Sequence, residues 1–258
     1  MKRFICENVF VPLRIAPAHR SEMLSQVLFG ETYCILDKID NWTKIRTDFD
    51  GSSGWIDMDH LQQSGHDTPE KSFILNRSLL CYKNDNTKMI LEAGCEIYNP
   101  DYKNHTFRIA DHIYTTAHDF KESYVTINES LSDTAMRFIN CPYIWGGRIA
   151  PGLDCSGFTQ LVFKIHGITL PRNSWQQAEN GEEITFITEA RAGDLAFFGH
   201  AGGQITHTGI ILSQGLIIHA SGRVRIDPVD HLGIYKQEIS NYSHRLIKIK
   251  RVKIHEEG

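Results

Sequence analysis

Short runs of alternating apolar and polar residues dominate the first half of the chain, and this pattern predicts β-strands. The clearest runs cover residues 9–13, 32–36, 43–46 and 55–56, and turn-forming residues such as Gly30 separate them. Residues 20–28, RSEMLSQVL, interrupt the runs as a longer, partly apolar insertion. Small β-barrels are built from short strands of this kind.

The same theme returns more weakly over residues 73–118. The segment AGCEIY at 93–98 is similar to FGETYCI at 29–35. The run at 107–109 corresponds in the same way to the predicted strand at 44–46. Between the halves, residues 62–71 are polar and contain Pro69, as expected of a linker. The repetition predicts an internal duplication of a small barrel, with a first barrel at residues 1–64 and a degenerate second one at 65–126.

From residue 128 onward the pattern changes to helices and then to further strands. Asn128 is the predicted N-cap of a first helix, whose inner face carries Leu131, Ala135, Phe138 and Ile139. Later strands are predicted at 195–198, 206–212 and 216–220, the last two joined by a hairpin turn at 213–215. Helices followed by an antiparallel sheet predict an α+β domain at residues 127–258.

A second helix is predicted directly after Asp154, a good N-cap residue, and Gly167 is expected to end it. Its apolar positions recur at spacings of three, four and seven residues, at Phe158, Leu161, Val162 and Ile165. Cys155 is then the first helical residue, where unpaired N–H groups and the partial positive charge of the helix start favour a thiolate. For an isolated cysteine, the alternative is a buried and inert thiol.

Two histidines on the predicted hairpin make Cys155 a candidate nucleophile. His207 and His219 each lie six residues from Ser213, so they are expected to face each other across the antiparallel pair. A nucleophilic cysteine needs a base for its proton, and that base needs an orienting partner. Cys155 as nucleophile, His207 as base and His219 as orienter fill these roles. The sequence leaves open which imidazole faces the sulfur.

Composition excludes several classes of function. The net charge is −4 and the sequence has no run of Lys and Arg residues. It therefore indicates no basic surface of the kind that binds nucleic acid or an anionic membrane. No apolar run approaches the ~18 residues of a membrane-spanning helix. The six cysteines form no C-x-x-C pair, which indicates reduced thiols, and no ligand cluster suggests zinc, so no metal and no cofactor are predicted. If Met1 is the natural start, Glu7 and Asn8 interrupt any signal-peptide core, and a cytoplasmic location is expected.

Five motifs of the second half, YIWGG, DCSGF, GDLAFF, ITHTGI and IHASG, occur in an order that resembles the NlpC family of bacterial cell-wall cysteine peptidases. The similarity covers about residues 128–253, including IDPVD and RLIKIKR, and implies a papain-like catalytic domain. In the first half, SEMLSQVLFGE and GWI are similar to the first SH3-like barrel of one branch, the γ-D-glutamyl-L-diamino acid endopeptidases. The implied architecture is a papain-like domain preceded by two small SH3-like β-barrels.

The resemblance implies hydrolysis of the amide between the D-glutamate side-chain carboxyl and a diamino acid. The substrates would be short murein (peptidoglycan) peptides such as L-Ala-γ-D-Glu-diamino acid, in cell-wall peptide recycling. By position, Cys155 attacks, His207 is the base and His219 is the third polar residue. Tyr143 would help the Cys155 N–H to stabilise the oxyanion, although a buried aromatic with a satisfied hydroxyl is the alternative for it. The residues implied to bind substrate are Trp145, Asp154, Ser156, Ser174 and Thr206, with Arg172 as an alternative carboxylate partner.

The residues that this branch uses to bind the free amino group of the substrate's N-terminal L-alanine are only partly present. Glu22 matches one acidic position, but Asn173 in PRNS replaces an aspartate and Ser52 in DGSSGW replaces a tyrosine. These changes predict weaker selection for a free N-terminal L-alanine. Two alternatives stay open, an amide or acyl transferase on the same scaffold and a wall-binding protein of low activity. The sequence decides neither the diamino acid nor the oligomeric state.

Overall fold

The computed structural model describes residues 2–60, 65–66, 72–109, 111–123, 129–200, 202–213 and 215–253. These residues form mostly antiparallel sheets with a few short helices, which is the broad outline predicted from the sequence. The chain divides into two compact units, residues 1–127 and 128–258. Within the described residues, no helix is both long and apolar enough to cross a membrane.

The described part of the first unit is built from β-strands and two single turns of 3-10 helix, at Met58–His60 and Lys121–Ser123. The strands are β1 (Arg3–Ile5), β2 (Phe10–Arg14), β3 (Met23–Leu28), β4 (Thr32–Ile39), β5 (Trp42–Thr47), β6 (Ser53–Asp57), β7 (Gly65–His66), β8 (Ser72–Ile74), β9 (Leu79–Lys83), β10 (Lys88–Leu91), β11 (Glu96–Asp101), β12 (Thr106–Ile109) and β13 (His112–Thr116). The strands predicted at 32–36, 43–46 and 55–56 are confirmed as parts of β4, β5 and β6, and the strand predicted at 9–13 is confirmed as β2, one residue further along the chain.

The two sheets of this unit repeat the same strand order. The first runs β3-β2-β6-β5-β4-β1-β7 and the second runs β10-β9-β13-β12-β11-β8. If β8 to β13 are set against β1 to β6, the two orders coincide over six strands. An internal duplication would produce this match. The two SH3-like barrels and their boundaries at 64 and 126 stay predictions, since most of the proposed linker, including Pro69, lies outside the described residues.

The interpretation of residues 20–28 as an insertion was wrong. Residues 23–28 form β3, which pairs antiparallel with β2 through partners such as Val11 and Val27. Ser25 and Gln26 are buried on this strand beside Val27 and Leu28. Two buried polar side chains removed the apolar–polar alternation by which a strand is recognised in a sequence.

The two sheets pack against each other inside the first unit. The rings of Phe29 and Tyr114 meet edge to face at 5.3 Å. The buried carboxylate of Glu7 lies 3.2 Å from Lys83 Nζ and 2.6 Å from His112 Nδ1, and it accepts a hydrogen bond from the Tyr114 hydroxyl at 3.0 Å. A buried carboxylate is tolerated only with partners of this kind, so Glu7 links the first sheet to the second.

The second unit begins with the short helix α1 and carries its helices on one large sheet. The helices are α1 (Leu131–Met136), α2 (Cys155–Ile165) and α3 (Ser174–Gln177), and single turns of 3-10 helix lie at Ile187–Glu189 and Gln237–Ile239. The strands are β14 (Arg148–Ile149), β15 (Gly152–Leu153), β16 (Glu182–Ile184), β17 (Leu195–Gly199), β18 (Ile205–Ser213), β19 (Leu216–Ser221), β20 (Arg223–Pro228), β21 (Gly233–Lys236) and β22 (Asn241–Arg251).

Asn128 was the wrong N-cap for α1. The cap is Ser130, whose hydroxyl accepts from the Asp133 backbone N–H at 3.1 Å while the Asp133 carboxylate reaches back to the Ser130 N–H. This reciprocal capping box fixes the helix start two residues later than predicted; Asn128 itself lies outside the described residues. Ile139, expected on the inner face, is 39% exposed, because the helix ends at Met136.

The sheet of the second unit has the antiparallel order β16-β22-β17-β18-β19-β20, with β21 pairing to β22. The strands predicted at 195–198, 206–212 and 216–220 are confirmed as β17, β18 and β19. Helix α2 packs on β18 and β19, and its four predicted apolar positions are buried. This packing brings the first residue of α2 to the strands that carry both histidines.

Candidate active site

Cys155 occupies the first position of α2, as predicted. The Asp154 side chain caps the helix by accepting from the Gly157 N–H at 2.7 Å. Gly157 is required for this turn, because a Cβ there would lie 2.0 Å from the Gly147 carbonyl oxygen. The Cys155 sulfur accepts hydrogen bonds from the backbone N–H groups of Thr208, on β18, and Ser156. Thr208 follows His207, so the thiol lies against the strand that carries the predicted base.

The electrostatics of this thiol differ from the prediction. Burial, together with the Asp154 carboxylate, raises the pKa of Cys155 to about 12, although the two N–H groups and Arg172 act in the opposite direction. A helix start contributes roughly 0.3–1 kcal/mol, which is less than the ~1.4 kcal/mol of one pKa unit. Burial shifts a pKa by up to about 3–5 units. The expected thiolate is therefore a neutral thiol in the free protein.

His207 and His219 are hydrogen-bonded to each other, but not through the predicted register. His219 pairs with Gly209 across the hairpin, because Ser213 itself pairs with Leu216 and is not the centre of the turn. His207 is therefore a diagonal neighbour of His219, and His207 Nε2 lies 2.8 Å from His219 Nδ1. Gly209 is needed here, because a Cβ would lie 2.7 Å from the His219 Cβ. The residue Gln214 in the predicted turn lies outside the described residues.

Asp227 extends this chain of side chains and was missed in the sequence. It lies on β20, and its Oδ2 is 2.9 Å from His219 Nε2. Arg225 donates to Asp227 Oδ1 at 2.7 Å and to Glu238 Oε1 at 2.6 Å. Burial alone would raise the pKa of Asp227, but hydrogen bonds from His219 and Arg225 outweigh it and the pKa is lowered. Asp227 is thus a carboxylate that can only accept a hydrogen bond.

The protonation of the two imidazoles follows from this carboxylate. Burial lowers the pKa of His219, although the hydrogen bond and the charge of Asp227 act in the opposite direction. Burial, together with the nearby His219 and His244, lowers the pKa of His207 well below 6.5. Both rings are therefore neutral at pH 7. His219 donates its Nε2–H to Asp227, which leaves Nδ1 as an acceptor for His207 Nε2–H. The unprotonated nitrogen of His207 is then Nδ1, the nitrogen that a base needs.

His244, on β22, is the second residue that sequence reasoning missed. Its ring stacks on that of His207 with centroids 4.2 Å apart and planes inclined by 25°. Burial, together with the nearby His219 and Lys236, lowers the pKa of His244 to about 4, although Asp227 acts in the opposite direction. Because β22 lies beside β17 and not beside the hairpin, no spacing along the chain signals this contact.

Tyr143 lies in the loop before α2, half-buried, with its N–H bonded to the Gly222 carbonyl at 3.1 Å. Burial raises the pKa of its hydroxyl, and the Asp154 carboxylate adds to that increase. The hydroxyl therefore stays protonated and can donate a hydrogen bond near the thiol.

Asp154, Arg172 and Ser156 form a buried cluster beside Cys155. Arg172 donates to both carboxylate oxygens of Asp154, at 3.0 and 2.5 Å, and to the Ser156 hydroxyl at 2.9 Å. The Asp154 carboxylate also accepts from the Gly146 and Gly157 N–H groups. Asp154 therefore organises the loop before α2 and the segment before α3.

The other predicted substrate residues of this unit surround that cluster. Asn173 precedes α3 and donates from Nδ2 to Gln176 Oε1 at 2.9 Å, and Ser174 is buried at the helix start. Trp145 and Thr206 are exposed. Glu22 and Ser52 belong to the first unit, where Glu22 is exposed just before β3. Their roles toward substrate stay predictions.

Among the residues that the structure describes, no group of three or more His, Cys, Asp or Glu side chains is arranged to hold a metal ion. The histidines of the site are instead hydrogen-bonded or stacked with one another. A thiol held against the strand that carries a neutral, hydrogen-bonded imidazole is an arrangement that suits nucleophilic catalysis.

Known proteins resemble both halves of the chain. Residues 140–243 match the NlpC/P60 family, and residues 13–61 match the bacterial dipeptidyl-peptidase SH3 domain. A γ-D-glutamyl-L-lysine dipeptidyl-peptidase from Bacillus cereus is 26% identical over 249 residues, which cover 84% of this chain and 74% of that protein. A protein of the same name from Bacillus subtilis is 24% identical over 212 residues, or 76% of this chain and 71% of that protein.

A solved structure shares the fold over nearly the whole chain. It is an NlpC/P60 family protein from Bacillus cereus, with a TM-score of 0.80 over 96% of this chain and 99% of that one. Since the two are only 20% identical, the likeness is one of fold.

Proposed function

Because the chain carries an NlpC/P60 domain and a bacterial SH3 domain and is a peptidase of the cysteine type, we propose that it hydrolyses the γ-D-glutamyl-L-diamino acid bond of short murein peptides. Cys155 is the nucleophile, His207 the base and His219 its orienting partner. The observation that carries this assignment is the 2.8 Å bond between the two imidazoles, beside the strand N–H that reaches the Cys155 sulfur. We further propose that the catalytic unit is papain-like and that the two sheets of the first unit are SH3-like barrels.

The reaction starts from a neutral thiol and a neutral imidazole. His207 Nδ1 takes the thiol proton as the sulfur attacks the γ-carbonyl carbon of D-glutamate, and the carbonyl oxygen becomes an oxyanion. The Cys155 N–H, which has no helical acceptor at the first position of α2, and the Tyr143 hydroxyl stabilise that oxyanion.

Collapse of this intermediate breaks the C–N bond. The imidazolium of His207 gives its proton to the leaving amine, and a thioester remains on Cys155. Water then attacks the thioester with His207 again as base, and the thiol is restored as the dipeptide acid leaves. Asp227 stabilises the charge that passes through His207 and His219, because its carboxylate is bonded to the far nitrogen of His219.

All six cysteines are free thiols, which supports a reducing compartment. We therefore place the enzyme in the cytoplasm, where it acts on released murein peptides during cell-wall recycling.

The proposed bond is tested with L-Ala-γ-D-Glu-L-Lys and its isomer in which the glutamate is linked through the α-carboxyl. We expect release of L-lysine and L-Ala-D-Glu from the γ-linked peptide, with kcat/KM at least about a hundredfold higher than for the isomer, because the reacting carbonyl must lie within bonding distance of the sulfur. Mass spectrometry of the products in the presence of a competing amine separates hydrolysis from transfer. If neither peptide is cleaved, the proposed hydrolysis is refuted and the alternative of a wall-binding protein is favoured. Equal cleavage of both isomers would refute the γ-specificity.

The pH dependence follows from the lowered pKa of His207. The base must be unprotonated to act, and a pKa well below 6.5 keeps it unprotonated under mildly acidic conditions. We therefore expect kcat/KM for the γ-linked peptide to stay level from pH 8 down through pH 6.5 and to fall only at lower pH. A profile measured from pH 4 to 9 checks this. A half-maximal value at pH 6.5 would show that the base titrates as an ordinary histidine.

A further inference from the structure

A surface cavity of about 610 Å³ adjoins the proposed base and has no role in the chemistry described so far. Its wall is formed by the end of β17, the start of β22 and the loop between β20 and β21. The polar residues along its wall are His200, His231, Tyr242, Ser243, His244 and Arg245. We call this space the histidine cavity.

The histidine cavity is linked to His207 through His244. The His244 ring lines the cavity and stacks on the His207 ring at 4.2 Å. The His244 Nδ1 is 2.9 Å from the Ser243 hydroxyl, which leaves Nε2 for a ligand. A group bound in the cavity would therefore be separated from the His207 ring by the stacked ring of His244.

The charges around the histidine cavity favour an anion. Arg245 is exposed, and within the described residues it forms no ion pair. The ammonium group of Lys236 acts on His244 as a positive charge. The neighbouring carboxylate of Asp230 is already engaged, since it accepts from the Tyr242 hydroxyl at 2.5 Å and from the Leu232 N–H at 2.8 Å. A guanidinium without a partner is a strong ligand for a carboxylate.

The leaving group of the reaction supplies such an anion in the right place. The amine that His207 protonates belongs to an amino acid, whose carboxylate is attached to the carbon next to that amine. When the amine lies at His207, the carboxylate lies on the same side of the base. We infer that the histidine cavity binds the free α-carboxylate of the released amino acid, with Arg245 as its charged partner. The enzyme would then prefer peptides that end at the residue it releases.

This inference rests on the proposed function, and it is tested by comparing L-Ala-γ-D-Glu-L-Lys with the same peptide ending in a carboxamide. We expect wild type to prefer the acid about tenfold in kcat/KM, as for one charged hydrogen bond over a neutral one. In Arg245→Gln, kcat/KM for the acid should fall to the value for the carboxamide, and kcat/KM for the carboxamide should stay unchanged. Arg191→Gln, an exposed arginine outside the cavity, serves as the matched control and should behave as wild type.

An equal loss for both peptides in Arg245→Gln, or no preference in wild type, would overturn the inference. If wild type cleaves neither peptide, the proposed function fails, and a measurement without turnover decides the cavity. Cys155→Ala is titrated with L-lysine and with L-lysinamide while the histidine ring carbons are followed by NMR. We expect L-lysine to shift the His244 and His200 signals and L-lysinamide to bind at least several-fold more weakly, a difference that Arg245→Gln removes. Equal binding, or no shift at His244, would refute the assignment.

Discussion

Replacing Cys155 by alanine is expected to lower kcat for L-Ala-γ-D-Glu-L-Lys by about 10³-fold or more, because no other group of the site can form the acyl intermediate. Cys155 is 7% exposed at the first position of α2, and alanine fits there without strain. The fold should therefore survive, with a change in the free energy of unfolding of about 1 kcal/mol. Activity assays and thermal unfolding of the same preparation measure the two effects separately.

Cys141→Ala is the matched control for this substitution. Cys141 lies in the same unit, is partly exposed and has no role in the proposed chemistry. It should retain nearly all activity. If Cys155→Ala keeps more than a few per cent of the wild-type rate, or if Cys141→Ala loses as much, the nucleophile has been misassigned.

The features that the sequence predicted correctly are those with short-range causes. Asp154 caps α2 through the N–H of Gly157, three residues away, and the apolar spacing after Cys155 is a property of one helix. Both are governed by local geometry that a sequence displays directly. The start of α1 was misplaced because Asn128 and Ser130 are both residue types that cap helices well, and the observed cap is Ser130, which forms a reciprocal pair of bonds with Asp133.

The features that the sequence could not give depend on strand register and burial. The counting took Ser213 as the centre of the hairpin and placed His219 opposite His207, but Ser213 pairs with Leu216, and His219 pairs with Gly209. Asp227 and His244 come from two further strands, so their approach to the histidines depends on the order of the whole sheet. The pKa of Cys155 was misjudged for a related reason, since a helix start is visible in the sequence and burial under a sheet is not.

The order of effects along the chain of hydrogen bonds is the second strong prediction. His207→Ala removes the proton acceptor and should lower kcat/KM by about 10³-fold, close to the loss for Cys155→Ala. His219→Ala should cost less, about 10- to 100-fold, because His219 sets the tautomer and orientation of His207 and does not itself exchange a proton with the thiol. Asp227→Asn should cost less again, because an amide oxygen still accepts from His219 Nε2–H.

His219→Gln distinguishes an orienting role from mere packing. The glutamine oxygen can accept from His207 Nε2–H as the His219 Nδ1 does, so this variant should recover several-fold of the activity lost in His219→Ala. Stability differences should not follow the same order, because His219 is 1% exposed and either replacement disturbs its buried contacts. The measurements are kcat/KM with L-Ala-γ-D-Glu-L-Lys and the free energy of unfolding for all four variants. Equal activity in His207→Ala and His219→Ala would refute the assignment of base and orienter, and no gain from glutamine over alanine would reduce His219 to a structural residue.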